Sequence, residues 1–389
     1  MLAAVGIWTL AASGIPSARS DPRVSSPAPG VRAHLRDEAL RHARTHLDPS
    51  TSLGTSPSTS LGTSPSTPLG AGHVDHRALT SGPPDPTGML TGDTVSCEFI
   101  PSVPDGTTSK FDCQLTSGDV VRVKYGHEPE IHAEAAATRL LAALGYAADH
   151  IYLVPRLRCH GCPTSNPFAT MHFLDVFRSS ADLSAAKPPG DREYRDFEWV
   201  GVERKFDAPP IEDETRKGWG WWELEHVSAP ADDLDSLRLL AIFLAHWDNK
   251  SENQRLVCMD AGYDESAGAC RDSLLMLNDL GATFGPAKVN LSQWRETPVW
   301  IDRATCTVSM RMLPFGGATF SDARVTEAAR LRVGRQLASF SDDELRQWFS
   351  AARFPQFYAA TDDGKDLDGW VGAYRSRVTR MLNAGPCPS

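Results

Sequence analysis

The chain lacks several features that would sort it quickly. Past the first dozen residues it has no apolar run long enough to cross a bilayer, which excludes a multispanning membrane protein. It lacks a basic surplus: 49 acidic residues against 39 basic ones give a net charge of -10, and this argues against a general nucleic-acid binder. It has no Gly-x-Ser-x-Gly segment, so the nucleophile elbow of a serine hydrolase is missing. No second Cys-x-x-Cys accompanies Cys159-His160-Gly161-Cys162, which weakens a zinc reading of that spacing. What remains is 389 residues, 41% apolar and 23% charged, enough for two ordinary domains or one large two-lobed one.

Residues 1–18 hold an apolar stretch, Leu2 to Ala12, followed by small residues. They resemble a secretory signal peptide with cleavage expected near Ala18, although no Lys or Arg precedes Arg19; a disordered leader is the rival reading. Eight cysteines fall in chain order as Cys97 and Cys113, Cys159 and Cys162, Cys258 and Cys270, Cys306 and Cys387. Three of these pairs are close in sequence, as local disulfides would be, and oxidised pairs fit an exported chain, periplasmic or secreted. Zinc at Cys159 and Cys162, or eight free thiols in a cytoplasmic chain, are the alternatives.

Residues 19–93 are rich in Pro, Ser, Thr and Gly, and the unit TSLGTSPS occurs at 51–58 and again at 59–66. Such composition buries too little apolar surface to offset its ordering entropy, so this stretch reads as a disordered linker, with a short helix over 32–46 and no chemistry there. The folded part starts near Val95. Strands are expected at Val95–Ile100, Phe111–Leu115, Asp119–Tyr125, Ile151–Leu157 and Phe197–Phe206, with a helix at Pro129–Leu144. From Asp232 the pattern turns helical, broken by short strands at Arg255–Cys258 and Leu274–Leu277, and helices close the chain at 324–339, 342–353 and 367–383. Strands first and helices later imply an α+β chain, divided as 94–206 and 207–389.

The informative residues lie at element ends. His246-Trp247-Asp248-Asn249-Lys250-Ser251-Glu252-Asn253 joins an amphipathic helix to a short strand, and Asp279-Leu280-Gly281 follows an apolar run. Upstream, Lys124 ends a strand and Glu134 lies on the next helix. Phosphoryl transfer from ATP needs such a set: a lysine on the phosphates, a glutamate on that lysine, oxygen ligands for magnesium and a carboxylate for the attacking hydroxyl. Glu130 competes with Glu134 for the lysine; Glu134, deeper in the helix and flanked by apolar neighbours, is preferred. The turn Pro104-Asp105-Gly106-Thr107-Thr108-Ser109-Lys110 offers backbone and hydroxyl donors to phosphate at Gly106, Thr107 and Thr108, and charge at Lys110.

HWDNKSEN resembles the catalytic loop of the protein-kinase-like superfamily, H-R-D-x-K-x-x-N, with Trp247 in place of arginine, and Asp279-Leu280-Gly281 is similar to D-F-G. The short link from lysine to helix and the cysteine content look like atypical branches, HipA-like or secretory-pathway kinases. The resemblance implies a two-lobed fold, with a small antiparallel-sheet N-lobe bearing one helix and a mainly helical C-lobe. It also implies a base at Asp248, a phosphoryl contact at Lys250, a nucleotide lysine at Lys124 held by Glu134, and magnesium (or manganese) on Asn253 and Asp279. ATP would be the donor and a protein or small-molecule hydroxyl the acceptor. Neither a G-x-G-x-x-G loop before Lys124 nor an Ala-Pro-Glu segment after Gly281 is present. A catalytically inactive binding module, or an AMP transferase, are the competing functions.

Overall fold

A computed structural model describes residues 29–47, 74–102, 108–162, 194–261, 263, 268–286, 289–311, 320, 322–357 and 365–388. The leader at 1–18, the octapeptide repeat, Gly106 and Thr107 lie outside the described residues.

Five strands, β1 (Thr94–Ile100), β2 (Lys110–Leu115), β3 (Val120–Lys124), β4 (His150–His160) and β5 (Tyr194–Arg204), close into a barrel in the order β1-β2-β3-β5-β4. This overturns the expected two-lobed kinase-like fold with an open antiparallel sheet; the α+β class stands. The closing seam is parallel, Thr94–Glu98 of β1 against Arg156–His160 of β4. It exists because β4 is longer than its apolar pattern suggests. Expected to stop at Leu157, it runs on to His160, and Arg158, Cys159 and His160 face Ser96, Cys97 and Glu98. β4 thereby pairs with β5 along its length and still reaches β1, and a closed barrel leaves no free edge.

Alternate residues point inward, as the period of a strand requires. Val95 and Cys97, Phe111, Cys113 and Leu115, Val121 and Val123, Val200 and Val202 fill the barrel. The register therefore sends Lys110, Lys124, Gly201 and Glu203 to the outer face. Helix α3 (Pro129–Ala143) lies on that face, close enough that a Cβ at Gly201 would stand 2.7 Å from the Ile131 side chain. The alanines at 133, 135, 136 and 137 are all buried, so α3 packs on the barrel on one side and on the helical remainder on the other.

That remainder is built from α4 (Ala231–Leu244), the hairpin β6 (Gln254–Cys258) and β7 (Ser273–Leu277), α5 (Leu291–Glu296), α6 (Glu327–Ala338), α7 (Asp342–Ala351), α8 (Phe354–Phe357) and α9 (Leu367–Leu382). Arg377 of α9 is wholly buried and donates to the carbonyls of Ile242 and Phe243 at 2.7 and 3.0 Å, and to those of Trp294 and Thr297 at 2.6 Å each. A guanidinium at the end of α4 satisfies carbonyls the helix leaves open and fixes where the next residues start.

The linker reading of 19–93 is corrected where that stretch is described. Helix α1 (Pro29–His42) buries Ala39 and Leu40, and α2 (His76–Ser81) buries Ala78 and Leu79 in the main core. Four disulfides join the cysteines pairwise in chain order, and among the described residues no cysteine is free. The zinc reading of Cys159 and Cys162 falls with them. Four disulfides fit an oxidising compartment. No helix among the described residues is long and apolar enough to cross a membrane.

Candidate functional site

The outer face of β2, β3 and β5, the start of α3 and the loops after α4 and β7 enclose a cleft of about 700 Å³. Lys124, Glu134, Thr108, Lys110, Asp248, Lys250, Asn253 and Asp279 all line it. Residues that are up to 171 positions apart in the chain (Thr108 and Asp279) therefore meet at one opening.

At the barrel end Lys124 sits buried among carboxylates. Its Nζ lies 2.8 and 2.6 Å from the two oxygens of Glu134 and 2.9 Å from Oε2 of Glu203. Glu130 instead accepts from the Thr108 hydroxyl at 3.0 Å. Burial opposes the charge on Lys124, but the fields of Glu134, Glu203 and Asp279 overcome it and hold the amine above the ordinary lysine range. Burial likewise lifts the Glu134 carboxyl, to about 7, with Lys124 opposing. Glu203 suffers the same burial, but two lysines, Lys124 and Lys205, hold it below the usual carboxylate range. Lys110 stands opposite Lys124 in the β2–β3 ladder, and burial and that neighbour pull it below the usual lysine range.

The other end is made by two loops. Helix α4 terminates at Ala245 in the left-handed conformation, φ 52°. His246 is buried and burial lowers its pKa to about 4, so it is neutral; its Nε2 lies 3.1 Å from the carbonyl of Asp279. The Trp247 N–H donates to the carbonyl of Ala282 at 3.3 Å. These two bonds tie the Asp248 loop to the Asp-Leu-Gly turn. Asn253 Nδ2 donates to the carbonyl of Asp248 at 2.8 Å, which closes the loop on itself. Asp248 Oδ1 is buried without a hydrogen-bond partner, and Lys250 Nζ is 3.7 Å from it. Burial raises the Asp248 carboxyl; Lys250 opposes and Asp279 reinforces the rise. Asp279 is exposed at the cleft, in a left-handed conformation with φ 47°.

Magnesium prefers carboxylate and amide oxygens and keeps several waters, so one or two protein ligands suffice beside substrate phosphates. The exposed Asp279 carboxylate and the Asn253 amide fit such an ion. Among the described residues, the two groups of three His, Cys, Asp or Glu ligand atoms within 4.8 Å both contain disulfide-bonded cysteines, which makes a preformed zinc cage a poor description.

Several further residues shape the site. Glu203 and Lys205 sit in an alternating polar pattern that reads as the wet face of a strand. Gly218-Trp219-Gly220-Trp221 presses on the Asp248 loop: Trp221 Nε1 donates to Asn249 Oδ1 at 2.9 Å, and a Cβ at Gly218 would fall 2.0 Å from the Gln254 carbonyl. Arg36 of α1 holds this segment, donating to the Gly218 carbonyl at 2.5 Å and to Glu223 at 2.9 and 3.0 Å. His132 is buried, with Nδ1 2.9 Å from the Ala352 carbonyl.

No protein-family model, curated protein or solved structure matches this chain. Function is therefore read from the geometry of the cleft alone.

Proposed function

We propose that the protein is a magnesium-dependent phosphotransferase that moves the terminal phosphoryl group of ATP to a hydroxyl of a protein or small molecule. One observation carries this reading: a buried, doubly paired lysine and the Asp248, Asn253 and Asp279 side chains line a single cleft. It rests on the side-chain set and not on a kinase-like fold.

Lys124 would bind the donor's phosphates, with Glu134 and Glu203 fixing its amine in place. Lys110 and the Thr108 hydroxyl would add donors at the same end. Asn253 and Asp279 would hold magnesium, which neutralises phosphate charge when bound. Asp248 would accept the proton of the acceptor hydroxyl; burial has already made it more basic than an exposed carboxylate. Lys250 would steady the group in transfer. The new bond joins the acceptor oxygen to phosphorus, the bond to ADP breaks, and the proton rests on Asp248. The four disulfides support an extracytoplasmic setting, periplasmic or secreted, for this chemistry.

A thermal titration tests the assignment. MgATP at a hundred times its dissociation constant stabilises the native state by roughly 2.7 kcal/mol, and the melting temperature rises accordingly. Asp279→Ala is expected to lose this rise and all phosphate transfer while remaining folded. Undiminished transfer in that variant would remove the assignment. A product heavier by AMP instead of phosphate would replace it with nucleotidyl transfer.

A further inference from the structure

Six side chains form an unbroken run of alternating charge across the molecule. It starts at Arg255 on β6, two residues past Asn253. Arg255 Nη1 lies 3.1 Å from Oδ1 of Asp149, which stands just ahead of β4. Oδ2 of Asp149 is 2.8 Å from Nζ of Lys205, just past the end of β5. Lys205 also pairs with Oε1 of Glu203, whose Oε2 meets Lys124 at 2.9 Å, and Lys124 ends the run on Glu134. Each of the two middle carboxylates gives one oxygen to each neighbouring cation. Asp149 additionally accepts the N–H of Phe206 at 2.8 Å.

Asp149, Glu203, Lys124 and Glu134 are 2%, 4%, 7% and 4% exposed, so most of this charge has been taken out of water. Buried ion pairs are costly, and an apolar set of similar volume would hold the seam at least as well. What an apolar set would not do is fix an amine and a loop relative to each other through directed bonds. The run begins beside the loop that carries Asp248 and Asn253 and takes in the amine at the far side of the cleft.

We infer that Asp149, acting through Lys205 and Glu203, is a positioning residue that sets Lys124 against the Asp248 loop. Asp149 itself does not line the cleft. Its nucleotide test rests on the function proposed above; its other test does not.

The variant is Asp149→Asn, which keeps an oxygen for the Phe206 N–H and removes the charge between Lys205 and Arg255. The first measurement uses no nucleotide. Acylation of Lys124 by an amine-reactive ester, followed by mass spectrometry well below the melting temperature, is expected to run at least threefold faster in Asp149→Asn, and to return towards the wild-type rate in Asp149→Glu. An unchanged rate would overturn the inference, because a purely local role at Phe206 leaves Lys124 untouched. The second measurement is MgATP affinity. Asp149→Asn is expected to bind at least tenfold more weakly, and the Asp149→Asn, Glu203→Gln double variant no more weakly than Glu203→Gln alone. Independent, additive losses would overturn the relay. If the wild type binds no MgATP, the proposed function fails, and the acylation result still decides the role of Asp149.

Discussion

The two ends of the cleft are built on opposite principles. At the barrel end the central charge is already answered: Lys124 is 7% exposed and lies between two carboxylates. At the loop end the charges are left open. Asp248 keeps a buried oxygen without a hydrogen bond, 3.7 Å from the half-exposed Lys250, and Asp279 stands exposed with a left-handed backbone. Burial raises the Asp248 carboxyl, and the neighbouring Asp279 charge adds to that rise. One end is therefore organised before any ligand arrives. The other keeps two carboxylates on one opening with little to hold them, the pattern expected where stability has been conceded to function.

The largest effect should come from the open end, and it should be on transfer. Asp248→Asn is expected to lower the rate of phosphate transfer by about 10²–10⁴-fold, the usual worth of a positioned general base. The MgATP-induced rise in melting temperature should survive, since Asn253 and Asp279 are intact. Removing a charge that burial disfavours should leave the ligand-free protein no less stable. A variant that transfers at the wild-type rate, or one that fails to fold, would erase the contrast between the two ends.

At the closed end the sign reverses. Lys124→Met strands Glu134 and Glu203 in the interior without their shared cation, and loss of one partner of a buried pair costs roughly 3–5 kcal/mol. Urea unfolding of the ligand-free protein measures it. Adding Glu134→Gln to Lys124→Met should recover a large part of that loss, because the penalty belongs to the uncompensated carboxylate. A Lys124→Met variant as stable as wild type would mean that the amine is not locked at all.

The same contrast explains what was legible in the sequence. Strand and helix positions followed from apolar periodicity, and the loops of Asp248 and Asp279 stood out because short polar clusters interrupt apolar runs. The choice between Glu130 and Glu134 turned on depth in α3, and Glu134 does meet Lys124. Barrel closure was not legible. The parallel seam of β1 and β4 joins residues about sixty positions apart, and no local pattern encodes that register. Glu203 and Lys205 were missed because a buried ion pair and a solvated strand face have the same letters. Arg36 was missed for a related reason: α1 is basic and weakly amphipathic, yet its arginine is buried and braces the segment behind the Asp248 loop. Composition prices a charge as surface; only the fold reveals that its partner is 187 residues away.

The finest test lies within the closed end, where Glu134 and Glu203 surround one amine but carry opposite shifts. Glu134 is raised from 4.5 to about 7, so the folded state binds its proton more tightly than the unfolded state does. Its contribution to stability is complete below about 4.5 and is lost as pH rises through about 7. Glu203 is depressed, so its contribution is complete above 4.5 and is lost only as pH falls through its lower folded value. Between pH 5 and 7 the wild type should therefore lose stability with rising pH on account of Glu134, by no more than about 1.4 kcal/mol per pH unit, the limit for one proton. Glu203→Gln removes the competing carboxylate and leaves Lys124 to Glu134 alone. The Glu134 carboxyl should then fall towards the ordinary range, and the slope between pH 5 and 7 should flatten. Denaturant unfolding across that window decides it: a slope that persists unchanged in Glu203→Gln would mean that burial alone, and not competition for the lysine, sets the Glu134 carboxyl.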